Sequence, residues 1–191
     1  MNLFSTVQMI FTALAKRKQH VSIREIPQGS VLDIGGGGEG VIAQAGGARV
    51  VAIDKLASEI HEARDKALGV PWIVADATAP PFKNQCFDHA TAFFSCMYMP
   101  GAVQDQVFRE TRRVLKPGGE FWIWDARITP KNHVFAIRLQ VDLGASHPIN
   151  TVYGVKAKEQ SAATIGSLLQ QAGFEPEVIT DRKDWFLIKA K

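Results

Sequence analysis

Residues 30–40, SVLDIGGGGEG, restrict what this chain can fold into more than any other stretch. Val31, Leu32 and Ile34 form an apolar, β-rich run around Asp33, and four consecutive glycines follow. Such a run predicts a buried strand that stops in a tight turn. Glycines there permit positive φ and leave no Cβ between the backbone and a ligand. A helix starting at about residue 39 would point its free N–H groups into the same space. Strand, loop and helix together make a nucleotide cradle. A flexible glycine linker would lack the apolar strand.

The glycines fit two templates. Gly35, Gly37 and Gly40 satisfy G-x-G-x-x-G, and Asp54 lies near the distance of a ribose-binding acid, as in an NAD-dependent oxidoreductase. Asp33 argues against that reading. A carboxylate facing the cleft would repel a pyrophosphate, whereas it suits a ligand carrying an ammonium and a sulfonium. The charge argument favours S-adenosylmethionine.

At 191 residues the chain suits a single domain, 1–191, large enough for a proper core. A hydrophobic content of 46% and a charged content of 21% are those of an ordinary globular protein. The net charge of +3 is small and the basic clusters (16–18, 112–116, 182–183) are dispersed, so nucleic acid is not supported. Cys86 and Cys96 have no metal-like spacing and read as independent thiols in a reducing compartment. The N-terminal apolar stretch carries its charges after it rather than before it, unlike a signal peptide. No run approaches the ~18 apolar residues of a membrane span, and the expected location is cytoplasmic.

Leu3, Phe4, Val7, Ile10, Phe11 and Leu14 recur at helical spacing, predicting an amphipathic helix within 1–20, packed on the core edge or closing over the cofactor as a lid. Residues 49–54 (RVVAID) read as a second buried strand ending in Asp54, placed for ribose hydroxyls or as an N-terminal acid of the following helix. Lys55 beside it would lay its stem along the adenine. Residues 70–75 form a third strand followed by Asp76 and Ala77, an acid for the adenine amino group and an N–H for its ring. Strand 89–94, helix 102–115 and strand 120–124 follow, then helix 161–172 and a terminal hairpin, 175–180 with 184–189.

These segments resemble a class I S-adenosylmethionine-dependent methyltransferase of the type 11, ubiquinone-biosynthesis-like, small-molecule kind. The resemblance rests on VLDIGGG (31–37), AID (52–54), ADA (75–77), APPF…FD (79–88) and VLKPGGEFWIWD (114–125), in order across about residues 30–125. It implies a Rossmann-like, doubly wound α/β fold: a mostly parallel seven-stranded sheet with an antiparallel last strand and helices on both faces. It further implies Gly35, Gly36 and Gly37 at the methionine moiety, Asp33 at its amino group, Asp54 at the ribose and Asp76 with Ala77 at the adenine. Phe94 and Ser95 would line the pocket near the transferable methyl, and S-adenosylhomocysteine would be the product. One departure is Glu39, where the family pattern has its last glycine. Either the loop ends in Glu39, or it carries one extra glycine and Gly40 keeps the close helix approach.

Residues 132–156 exceed what that family core needs. Phe135, Ile137, Leu139, Val141 and Leu143 alternate with more polar neighbours, predicting an inserted hairpin. It would cap the pocket, form a homodimer surface, or serve as ordinary core. No nucleophile triad and no metal-ligand spacing occurs, and methyl transfer from a sulfonium needs neither; the catalytic residues stay unassigned. His133, His147 and Tyr98 are the polar groups nearest the expected acceptor, whose pocket Phe93, Phe94, Met97, Tyr98 and Met99 make apolar. The reading is methyl transfer to a small-molecule acceptor, with an NAD-dependent oxidoreductase or a non-catalytic S-adenosylmethionine-binding module as alternatives.

Overall fold

The computed structural model describes residues 17–129, 133–144 and 147–191. The amphipathic segment read over residues 1–16 therefore lies outside the described residues. The chain runs β1 (Gln19–Ser22), β2 (Val31–Ile34), α1 (Val41–Gly46), β3 (Val50–Asp54), α2 (Ala57–Arg64), β4 (Trp72–Val74) and β5 (Phe87–Phe93). It continues with α3 (Gly101–Val114), β6 (Leu115–Ala126), β7 (Val134–Asp142), β8 (Ile149–Lys156), α4 (Ala162–Gln171), β9 (Pro176–Asp181) and β10 (Trp185–Ala190).

Seven strands pair in the order β4-β3-β2-β5-β6-β10-β9. The pairs among β2 to β6 are parallel, and β10 runs antiparallel to β6 and β9. This is the doubly wound α/β sheet expected, with the antiparallel last strand. Side chains alternate across it as the pleat requires. On β6, Phe121 and Ile123 join the cluster under α3 and α4, while Trp122 and Trp124 join the cluster of α1, β1 and β7. Strand order reverses at β2, between β3 and β5, and ligands of such sheets bind outside the strand carboxyl ends at that point.

A second sheet, β1-β7-β8, stands beside the first. β7 and β8 form an antiparallel hairpin, and β1 adds to β7 in parallel, from Gln19 opposite Leu139 to Ser22 opposite Asp142. Gln19 and His20 are thus strand, a correction to a helix reaching residue 20. Four residues carry too little periodicity to announce a strand; the pairing with β7 supplies it.

Two boundaries show local causes. Helix α1 starts after Gly40, not at Glu39, because Gly40 sits at φ 59°, a left-handed conformation that precedes the helix. Helix α4 begins where Ser161 and Thr164 form a reciprocal capping box.

Candidate active site

A cavity of about 930 Å³ opens at the carboxyl ends of β2, β3, β4 and β5, near the upper end for small-molecule sites. Gly35, Gly37, Asp54, Lys55, Asp76, Ala77, Phe94 and Ser95 all line it; Asp33 and Gly36 do not.

The glycine loop is shaped by close contacts. Gly35, Gly38 and Gly40 have positive φ. A Cβ on Gly37 would lie 2.5 Å from Glu59 Cβ and 2.7 Å from Asp54 Oδ2. A Cβ on Gly35 would lie 2.6 Å from Ser95 Cβ. A Cβ on Gly40 would lie 3.3 Å from Trp72 Cη2 and 3.4 Å from Ala63 Cβ, tight contacts, so it serves packing rather than the cavity.

Asp54, at the end of β3, accepts the Gly37 N–H at 3.2 Å and the Leu56 N–H at 2.9 Å. These bonds fix the carboxylate on the cavity wall and leave lone pairs for a diol. Asp76 accepts the Thr78 N–H at 2.9 Å and the Thr78 hydroxyl at 2.7 Å, and pairs with Lys55 at 2.8 Å. The Lys55 ammonium and the Thr78 donors hold its carboxyl well below the usual range. Lys55 thus serves Asp76, with its side chain largely exposed.

Asp33 departs from expectation. It is buried, 1% exposed, and accepts the Thr91 hydroxyl at 2.9 Å. Gly36 lies directly above it: a Cβ there would be 2.3 Å from Asp33 Oδ2. Burial pushes its carboxyl up to about 7 against the lowering effect of Thr91, with the nearby Asp54 adding to the rise. Asp33 supports the loop from beneath instead of facing the cleft as a charge. The argument that its negative charge selects the ligand does not hold; the acids on the cavity wall include Asp54, Glu59 and Asp76.

Ser95 donates to the Ile34 carbonyl at 2.7 Å, tying the end of β5 to the end of β2. Phe94, buried at φ +50°, stacks on Tyr153 of β8. The hairpin thereby reaches the cavity, contributing Thr151, Val152, Tyr153 and Gly154 to its lining. Sequence alternation announces that strand but not the side it packs on. Glu59 and Thr78 were also missed; both follow a strand-end acid by a few residues, the one usable signal. Tyr98 lines the cavity and accepts the Gly154 N–H at 3.3 Å. His133 and His147 lie off the lining, and His89 sits at the start of β5, remote from the carboxyl ends.

The turn carrying Tyr98 and Met99 is held from below. Asp125, fully buried at the end of β6, accepts the Met97 N–H at 3.2 Å and the Gln160 amide at 2.8 Å. Gln104 donates to Gln160 at 3.0 Å and to the Cys96 carbonyl at 2.8 Å, and Lys158 donates to the Met99 carbonyl. Among the described residues no group of three or more His, Cys, Asp or Glu could hold a metal ion.

Strand order, glycine loop and strand-end acids define a class I methyltransferase fold. A family model described as "Methyltransferase domain" matches residues 31–119. Phosphoethanolamine N-methyltransferase 3 of Arabidopsis thaliana is 29% identical over 186 residues, 91% of this chain and 34% of that protein. The ubiquinone/menaquinone biosynthesis C-methyltransferase of Acidiphilium cryptum is 32% identical over 105 residues, 50% of this chain and 41% of that protein. The PH0226 protein of Pyrococcus horikoshii superposes with a TM-score of 0.65 at 21% identity, covering 86% of this chain and 83% of that one, a likeness of fold. Over residues 31–119 the chain is similar to a methyltransferase domain, and it resembles the class I S-adenosylmethionine-dependent methyltransferases of the type 11 kind. It spans between a third and two-fifths of the length of the curated relatives just described. They give no support to an NAD-dependent oxidoreductase or to a non-catalytic module.

Proposed function

We propose that the chain binds S-adenosylmethionine and methylates a small-molecule acceptor. The observation that carries this reading is the convergence of Gly35, Gly37, Asp54 and Asp76 on one cavity at the strand-order reversal. The residues present fit the cofactor. A Cβ on Gly37 would clash with Glu59 and Asp54, so the glycine is what lets the Gly37 N–H bond Asp54 and seat that carboxylate on the cavity wall.

When bound, S-adenosylmethionine supplies an electrophilic methyl group on a sulfonium with an excellent leaving group. Asp54 would accept the ribose hydroxyls, and Asp76 with the Ala77 N–H would read the adenine, with Lys55 orienting Asp76. Gly35 and Gly37 would admit the methionine moiety. Phe94 and Ser95 would shape the wall beside the reacting centre, and Tyr153 would cover it from the hairpin. These residues chiefly position the acceptor and exclude water, an effect worth about 7–11 kcal/mol at best. Burial pushes the phenols of Tyr98 and Tyr153 up, so they hold their protons and act as hydrogen-bond donors rather than bases.

No described helix is long and apolar enough to cross a membrane. A cytoplasmic location is supported by Cys86 and Cys96 being free thiols. Calorimetric titration with S-adenosylhomocysteine and with NADH tests the cofactor, and incubation with S-adenosylmethionine and acceptor pools tests turnover through a methyl gain in mass. Binding of S-adenosylhomocysteine with a methylated product is expected. Tight NADH binding without S-adenosylhomocysteine binding would overturn the reading.

A further inference from the structure

We infer that Asp125 is a positioning residue for the cavity: its carboxylate, acting through the turn at 96–99, sets where Tyr98 stands, and a proton taken up by Asp125 releases it. Tyr98 and Met99 of that turn both line the cavity. Side chains from three other segments fix the turn's backbone. Gln104 of α3 donates to the Cys96 carbonyl at 2.8 Å, and Lys158, ahead of α4, donates to the Met99 carbonyl. Asp125, on β6, accepts the Met97 N–H between them. Tyr98 sits among these anchors, with its hydroxyl accepting the Gly154 N–H of the hairpin at 3.3 Å.

The two oxygens of Asp125 are unequally engaged. Oδ1 accepts the Ala126 N–H at 2.7 Å and the Gln160 amide at 2.8 Å. Oδ2 accepts the Met97 N–H at a longer 3.2 Å. Gln160 is held in its orientation from both ends: its oxygen accepts from Gln104 at 3.0 Å, and its amide also donates to the Ala126 carbonyl at 2.9 Å. A proton therefore settles on Oδ2, the less committed oxygen. There it faces the Met97 N–H, and a protonated carboxyl oxygen is a donor. The bond that fixes the turn is the one that protonation removes. A buried N–H left without an acceptor is costly enough to drive the turn to a new position.

That proton comes and goes near neutral pH. Asp125 is fully buried, and burial pushes its carboxyl up to about 6 against the lowering effect of the Ala126, Gln160 and Met97 donors. The titratable groups that face it are Cys96 and Tyr98 on the turn and Lys158 ahead of α4. Burial pushes the thiol and the phenol up, so both keep their protons where Asp125 titrates. Burial lowers the Lys158 ammonium, and Asp125 opposes that shift. β10 sets Phe186 beside Asp125 and α3 contributes Gln104, neither of them charged.

The chain has two tyrosines, Tyr98 and Tyr153, so labelling the ring carbon that bears the hydroxyl gives two carbon NMR signals. Loss of one in Tyr98→Phe assigns them. The full chain, without added ligand, is titrated from about pH 4.5 to about pH 8, following the Tyr98 signal together with the sequentially assigned carboxyl carbon of Asp125. The two are expected to move with a common midpoint near 6, and the Met97 and Gly154 amides to lose protection from hydrogen exchange on the acid side. In Asp125→Asn the side-chain amide nitrogen takes the place of Oδ2 and faces the Met97 N–H as the protonated acid does. The Tyr98 signal should then rest at its acid position at every pH. In Asp33→Asn its movement should persist, which separates Asp125 from the other buried acid that titrates in this range. The inference is overturned if the Tyr98 signal stays flat in the wild-type protein or its midpoint departs from that of the Asp125 carboxyl. It is equally overturned if the movement survives in Asp125→Asn or vanishes in Asp33→Asn. Should Asp125→Asn fail to fold, the two wild-type midpoints and Asp33→Asn decide. None of these outcomes depends on which cofactor the cavity takes.

Discussion

Tyr153 lies flat against Phe94, with ring centroids 5.3 Å apart and planes 4° from parallel. One ring comes from the β7–β8 hairpin and the other from the residue that follows β5, so the stack helps fasten the hairpin over the carboxyl edge of the main sheet. Phe93 adds an edge contact to Phe94 at 4.9 Å, and Tyr98 receives the Gly154 N–H one residue further along β8.

Removing the stack should loosen that closure. Tyr153→Leu is expected to lower stability by about 0.5–1.5 kcal/mol, the worth of an aromatic pair beyond its buried area. Denaturant unfolding measures the loss, and faster hydrogen exchange over 149–156 would locate it.

Asp54→Ala should weaken S-adenosylhomocysteine binding by about 1.5–3 kcal/mol, the range for hydrogen bonds to a charged group. Calorimetry reads the change directly. An unaltered affinity would place the ribose elsewhere.

Asp33 makes stability depend on pH. Its folded carboxyl titrates at about 7 against an unperturbed 3.8. The folded state therefore holds a proton that the unfolded state releases. Its contribution is full below the unfolded value and is lost as pH rises toward 7. Asp125, raised to about 6 by burial, acts in the same direction. Asp33→Asn keeps an acceptor for Thr91 and removes the titration. The variant should gain on the order of 2–4 kcal/mol relative to wild type between pH 4 and pH 7.5, as measured by urea unfolding at each pH.

Two glycines should respond oppositely to alanine. A Cβ on Gly36 would lie 2.3 Å from Asp33 Oδ2 and 3.2 Å from Ala52 Cβ, in a filled interior. Gly36→Ala should cost about 1–3 kcal/mol of stability. Gly101 has open space around its Cβ position and no positive φ, so Gly101→Ala should add about 0.4–1 kcal/mol. Thermal melts of the pair decide both.

Much of the main sheet was legible because its strands are short apolar runs ended by Gly or Asp, a pattern set by burial on both faces. β2 and β3 show it, each stopping at the acid or glycine that the sequence places there. The cavity's glycine and acid end follows from the same rule, since strand order fixes which ends meet. Asp33 was misread because the pattern says that an acid sits in the strand, not on which side of the loop its carboxylate lies. Thr91, fifty-eight positions away in sequence, decides that. The aromatic end was also hidden: Tyr153 reaches Phe94 only through the packing of one sheet on another, which has no local signature.

The pairing of β1 with β7 is a long-range closure. Gln19 and Leu139 are distant in sequence, so joining them closes a long loop, a step whose entropic cost rises with chain length. The pedestal of the pocket, β2 to β5, joins Val31 to His89, whereas its canopy must join Gln19 to Leu139 across about twice that length of chain. The acceptor's shelter therefore rests on the longer closure and the nucleoside seat on the shorter one.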